Sequence, residues 1–154
     1  MSQQARDDLI ASPSTIFQRD SQRDDLRDPA LTSTYLIELL SYLVFTQGWA
    51  IEFTAIRSDH HDDSALAPDS EHIGTHAGGW ATDCWPLNST VAGDYTDANE
   101  PRMQRFLEDC ARAPRLHQIG LAGSAQTDAN FTAAGQTAFA DDGADHIHIG
   151  AQPV

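Results

Sequence analysis

Lysine is missing from this chain altogether. All nine basic residues are arginine, against 18 Asp and 5 Glu, and the formal net charge is −14. A surface this acidic repels a phosphate backbone, which argues against DNA or RNA as a partner. The absence of lysine together with the surplus of aspartate has two readings. One is a GC-rich genome in which lysine codons are scarce. The other is a halophile, in which dense carboxylates keep the protein hydrated while high salt screens their repulsion. The preference for Asp over Glu leans toward the second, which expects the melting temperature to climb between dilute and molar salt.

Cysteine is nearly as scarce, with two in 154 residues. One pair does not make a disulfide scaffold, and Cys84 and Cys110 lie among apolar residues, so both read as buried thiols. Long apolar runs are also missing. The longest, Tyr35 to Phe45, is interrupted by Glu38 and Ser41 and is too short to cross a bilayer. The opening MSQQARDDLIASPS has neither a basic n-region nor an apolar h-region, so no signal peptide is expected. The length, with 40% hydrophobic residues, suits one domain with a real core.

Residues 1–30 are polar, with only a few apolar anchors such as Leu9, Ile16, Phe17 and Leu26. They read as an extension or docking arm outside the core, and 31–154 as the domain proper. Thr32, Ser33 or Thr34 can cap a helix that runs to Gln47 and is stopped by Gly48. Leu36, Leu39, Leu40, Leu43 and Val44 recur at helical spacing and give it one broad buried side. Trp49 to Ile56 reads as a strand that delivers Arg57 and Ser58 to its end. Trp80 to Trp85 is a short strand ended by Pro86, Pro101 to Ala113 a helix, Leu116 to Leu121 a strand, and His146 to Ala151 the last strand. The stretch 122–145 is small, polar and long for a loop, which in a compact domain points to function.

Two segments carry the chemistry. EHIGTHAGGWATD (71–83) and DHIH (145–148) hold four of the seven histidines, each with a carboxylate at a fixed offset. A spacing of seven would put His76 and Asp83 on opposite faces of one continuous strand, so His76 belongs in a glycine-bearing turn ahead of the strand that carries Asp83. His146 and His148 are two apart and share a strand face. Two imidazole nitrogens, one carboxylate oxygen and an open fourth position describe a catalytic zinc site. The plainer alternative is a set of exposed polar residues in loops rich in Asp and His, and it applies with most force to His60 and His61. His72 and His76 form an HxxxH pair, but Glu71 precedes the first His where the helical zinc proteases need it immediately after. Cys84 comes directly after Asp83 and so points to the other face of its strand, away from the ligands.

The ordered pattern HxxGxAxD, met by His76, Gly79, Ala81 and Asp83, with the HxH of His146 and His148 after it, resembles the zinc D-Ala-D-Ala peptidases and their relatives. That group includes murein endopeptidases, phage endolysins and the hedgehog signalling domain. Thr54-Ala55-Ile56-Arg57-Ser58 is similar to the strand end that precedes the motif there, usually Ser-Gly-Tyr-Arg-Ser. The resemblance covers roughly 48–151. It implies an α+β fold, a small antiparallel sheet with zinc on one face and helices on the other. It also implies His76, Asp83 and His148 as Zn2+ ligands, Asp145 as the catalytic carboxylate, His146 lining the site and Arg57 facing the substrate. Gly74 stands where the family usually has Ser, two before the first ligand, which bears on specificity more than on the metal.

The implied function is hydrolysis of a cell-wall (peptidoglycan-type) peptide by a phage- or virus-encoded protein, virion-associated or released to the envelope. The competing expectation is a non-catalytic virion or surface protein that keeps the fold, with the N-terminal arm as a contact to other virion proteins.

Overall fold

The structure is a computed structural model, and it describes residues 3–57, 78–87, 101–120, 137–139 and 146–152. In chain order the elements are α1 (Gln3–Ala11), β1 (Thr15–Phe17), α2 (Asp20–Arg27), α3 (Thr34–Ser41) continued by one π-helical turn (Tyr42–Thr46), β2 (Ile51–Ala55), β3 (Ala81–Pro86), α4 (Pro101–Arg112), β4 (Leu116–Gly120), β5 (Thr137–Phe139) and β6 (Ile147–Ala151). The class is α+β, as expected.

The sheet is mixed, which corrects the antiparallel expectation. Its order is β1-β2-β3-β6-β4-β5. The inner strands β2, β3, β6 and β4 pair antiparallel, while β1 and β5 join the two edges in parallel. Neither edge strand was legible, because three residues bonded along one side leave too little alternation to read.

One face of this sheet carries the core. Successive strand residues alternate sides, so Ile51 and Phe53 of β2, Cys84 of β3, and Ile147 and Ile149 of β6 point together. They join Leu36, Ile37, Leu39, Leu40 and Leu43 of the helix in a single buried cluster. The capping residue is Ser33, whose Oγ accepts from the Leu36 amide at 3.1 Å. At the other end Gly48 takes φ +76°, and the amides of Gln47 and Trp49 turn back to the carbonyls of Tyr42 and Leu43 at 3.0 Å each. That glycine ends the helix as the sequence indicates, through the left-handed geometry a C-terminal cap requires. Trp49 then packs edge-on against Phe106 of α4, and its indole N–H donates to the buried Asp109 at 2.9 Å.

Residues 3–28 do not lie outside the core. Leu9 of α1 and Leu26 of α2 are fully buried in the same cluster, and β1 extends the sheet. Arg6, only 3% exposed, donates to the carbonyls of Leu26 and Thr32 at 2.8 and 2.7 Å and ties α1 to the turn beyond α2. The polar composition misled because these helices bury few residues each, and much of what they bury is polar and hydrogen-bonded.

Candidate metal centre

Asp83 and His148 are direct cross-strand partners in the β3–β6 ladder. They sit on the face opposite Cys84, Ile147 and Ile149, since each is one residue removed from those core positions. Both are buried, at 4% and 0% exposed. His148 Nδ1 lies 3.0 Å from Asp83 Oδ1, and His146 Nε2 lies 3.7 Å from Asp83 Oδ2. One carboxylate is thus held between two imidazoles, one deep in the sheet and one at its rim. On the other side of His148 the β4 residue in register is Gly120, which adds no side chain.

Three devices set this arrangement. The first is a β-bulge in β2. Phe53 pairs with Cys84 and Ala55 with Asp83, so Thr54 is the extra residue on that strand. A bulge beside a site re-aims the residues beyond it, here Ile56 and Arg57. The second is the N-terminal segment. Gln22 of α2, fully buried, donates from Nε2 to the Thr54 carbonyl at 3.2 Å, while its Oε1 accepts from the amides of Gln18 and Arg19 at 2.9 and 3.2 Å. The bulge carbonyl is therefore satisfied from residues expected to be an arm. The third is Gly79, at φ +74°, just ahead of β3. A Cβ there would overlap the Leu31 carbonyl, and the Gly79 carbonyl accepts from the Ser33 amide at 2.7 Å. Both the dihedral and the close approach require glycine at this place in the motif. The Thr82 hydroxyl adds a bond of 2.7 Å to the Ala55 carbonyl and locks β3 to the end of β2.

Of the residues singled out by sequence, the structure brings Asp83, His146 and His148 together. Arg57 lies two residues beyond β2, at the end of the sheet that Asp83 occupies. His60, His61, His72, His76 and Asp145 lie outside the described residues, as do Ser58 and Gly74. Cys84 faces away, fully buried. Burial pushes its thiol far above the usual range, and the neighbouring Asp83 charge adds to the effect.

The donor set suits zinc. Ligand atoms at about 2.0–2.1 Å in a tetrahedron lie roughly 3.3 Å from one another, and the 3.0 Å between His148 Nδ1 and Asp83 Oδ1 is close to that separation. At 3.0 Å the shorter contact is itself a hydrogen bond. Among the described residues no group of three such side chains is placed to hold an ion by itself.

Sequence reasoning missed Gln22, the Thr54 bulge and Gly120. None has a sequence signature. Bulges and cross-strand neighbours depend on register, which local pattern does not specify. No family model matches the chain, no curated protein matches it, and no solved structure matches it.

Proposed function

We propose that this protein is a zinc-dependent hydrolase of cell-wall peptides, with His76, Asp83 and His148 holding the ion, Asp145 as proton carrier, and His146 and Arg57 beside the reacting carbonyl. The observation that carries the reading is the pairing of Asp83 with His148 at 3.0 Å, with His146 on the second carboxylate oxygen. These are three of the residues that a zinc peptidase of this pattern requires, drawn to one point from positions 65 residues apart.

Zinc, when bound, supplies a Lewis acid and a water whose pKa is lowered to about 7. The chain's own residues do the rest. Asp83 and His148 would face the ion side by side, the carboxylate oxygen 3.0 Å from His148 Nδ1. Asp145 takes a proton from the attacking water and passes it to the leaving amine. Arg57 and His146 place positive charge and hydrogen-bond donors where the oxyanion develops. The bulge held by Gln22 aims the strand end that carries Arg57.

Elemental analysis of protein purified without chelator, and then incubation with purified peptidoglycan, tests the proposal. The expected result is about one zinc per chain and new amino termini released from the peptide stems. Zinc binding without cleavage of peptidoglycan or any envelope peptide would overturn the enzyme reading. It would leave a virion or surface structural protein that retains the metal.

A further inference from the structure

The last turn of the helix at 34–46 and the first turns of α4 border a cavity of about 350 Å³, lined by Gln47, Gly48, Trp49, Arg102 and Arg105. Among the described residues, the charged groups that line it are both arginine. The chain has 9 basic residues against 23 acidic ones, so an ordinary hollow on its surface would be lined by carboxylates. Arg102 and Arg105 are three apart on α4 and therefore share a helix face. The placement of Arg102 is also unfavourable for the helix itself. It is the second residue of α4, whose first turn holds no acid, and a cation there meets the positive end of the helix dipole.

The cavity has a firm wall and open space. Trp49 is buried, packs edge-on against Phe106, and donates its indole N–H to Asp109 at 2.9 Å. Asp109, the carboxylate behind this wall, also lies 3.5 Å from Arg112. Arg105 reaches the same carboxylate at 3.9 Å with its side chain 71% exposed, a contact too long and too wet to hold the guanidinium firmly. Beside them Gly48 is exposed, and a Cβ built on it would meet nothing within 4 Å. A volume of this size falls at the small end of the roughly 300–1,000 Å³ found for small-molecule sites.

This cavity is separate from the metal centre. Gly48 and Trp49 precede β2 at its Ile51 end, whereas Asp83 pairs with Ala55 at the other end, about 13 Å along the strand. Trp49 also belongs to the core cluster on the helix side of the sheet, and Asp83 and His148 face the opposite side.

We propose that this cavity is a second binding site, for a small molecule that carries a carboxylate or phosphate group, with the guanidinium groups of Arg102 and Arg105 on the oxyanion. The planar fork of arginine matches both groups through paired N–H donors. The net charge of −14 works against long polyanions. A single small anion responds chiefly to charges within a Debye length, about 8 Å in physiological salt, and the two arginines are the ones that line the cavity. The site stands apart from the peptidase reading and holds whether or not the protein is a hydrolase.

The test is titration calorimetry of the full chain with succinate and with inorganic phosphate, at constant ionic strength set by sodium chloride. The expected result is one anion per chain with Kd at or below about 1 mM, within reach of two charge-assisted contacts. The tighter of the two anions identifies the group as carboxylate or phosphate. Arg102→Gln and Arg105→Gln should each raise Kd roughly 10- to 100-fold. The exposed Arg105→Gln should leave the melting temperature within about 2 °C of wild type, so its result stands even where Arg102→Gln folds poorly. Arg105→Lys, which keeps the charge and loses the fork, should fall between wild type and Arg105→Gln. Arg112→Gln removes the same charge from the same helix outside the cavity lining and should change Kd by less than about 2-fold. Absence of saturable binding by either anion overturns the site. Binding that survives Arg105→Gln, or an equal loss in Arg112→Gln, overturns it as well.

Discussion

Replacing Asp83 by Asn is the sharpest perturbation available, because it keeps the shape of the side chain and removes only its charge. Asp83 is 4% exposed and faces His148 Nδ1 at 3.0 Å. Without metal, an N–H···O bond to that ring survives in the variant as a neutral bond in place of a charge-assisted one. The difference between the two kinds is about 1–1.5 kcal/mol, and so about 2–6 °C in melting temperature. With metal the change is much larger. An ion present at a thousandfold excess over its dissociation constant stabilises the folded state by about 4 kcal/mol, roughly 8–16 °C here. A site that loses its single anionic ligand forfeits most of that. Thermal melts with chelator and with zinc, for wild type and Asp83→Asn, separate the two effects. The reasoning is refuted if Asp83→Asn keeps the full zinc-dependent rise, or if wild type shows none. His148→Ala should abolish the rise and His146→Ala should largely preserve it. The opposite pattern reverses their roles.

The same geometry makes three further outcomes measurable. Gly79→Ala should destabilise by about 2–5 kcal/mol, combining a left-handed penalty of about 1–2 with overlap of the Leu31 carbonyl at about 1–3. Gly48→Ala, with similar φ but nothing within 4 Å, should show the first part alone in denaturant titrations. Gln22→Ala strips the Thr54 carbonyl and two backbone amides of their partner and should cost about 1–3 kcal/mol for each group that water cannot reach. Protection of β2 amides from hydrogen exchange should fall with it. Cys84 and Cys110 are held protonated, first by burial and then by neighbouring negative charge. Since unfolded thiols ionise near about pH 8.5, the unfolded state binds fewer protons above that pH. Stability is then lost as pH rises, at up to about 1.4 kcal/mol per pH unit for each thiol. Converting both to Ala should flatten that alkaline limb, and a limb that stays as steep assigns it to other groups.

The parts of the fold that were legible in sequence are those whose signal is local. The helix at 34–46 announced itself through leucine periodicity, a capping residue among Thr32, Ser33 and Thr34, and Gly48; the cap is Ser33, and the other two act as read. Strands β2, β3, β4 and β6 emerged within a residue or two of their bounds, because each is short, mixes apolar with polar residues and has turn-forming or charged residues near its ends. What failed was non-local. Nothing in QQARDDLIA or DSQRDDLR says that Arg6 and Gln22 are buried, since the backbone carbonyls they donate to are 20 to 32 residues away. The sheet was taken as antiparallel throughout because its parallel pairs are confined to three-residue edges. Within the site, Asp83 and His148 were legible as chemistry once the two segments that carry His and Asp were read together, and the resemblance then named them as partners.

The N-terminal stretch, Gly79 and the bulge act together to keep a buried carboxylate in place. Asp83 is central in a short strand, and charge burial favours any movement that lets water in. The chain opposes that movement from both sides of β3. Toward β2, the extra residue at Thr54 shifts the register so that Ala55 comes opposite Asp83, and Gln22 saturates the carbonyl that the bulge exposes. Toward the start of β3, Gly79 presses its backbone against Leu31 and bonds Ser33, so the strand cannot slide without breaking the turn that Arg6 and Thr32 hold together. Toward β6, His148 bonds the carboxylate itself. Two of these three restraints come from residues before 34. The polar stretch that reads as an appendage is therefore the frame of the site, and its polarity is what lets it satisfy backbone groups there that apolar packing would leave unpaired.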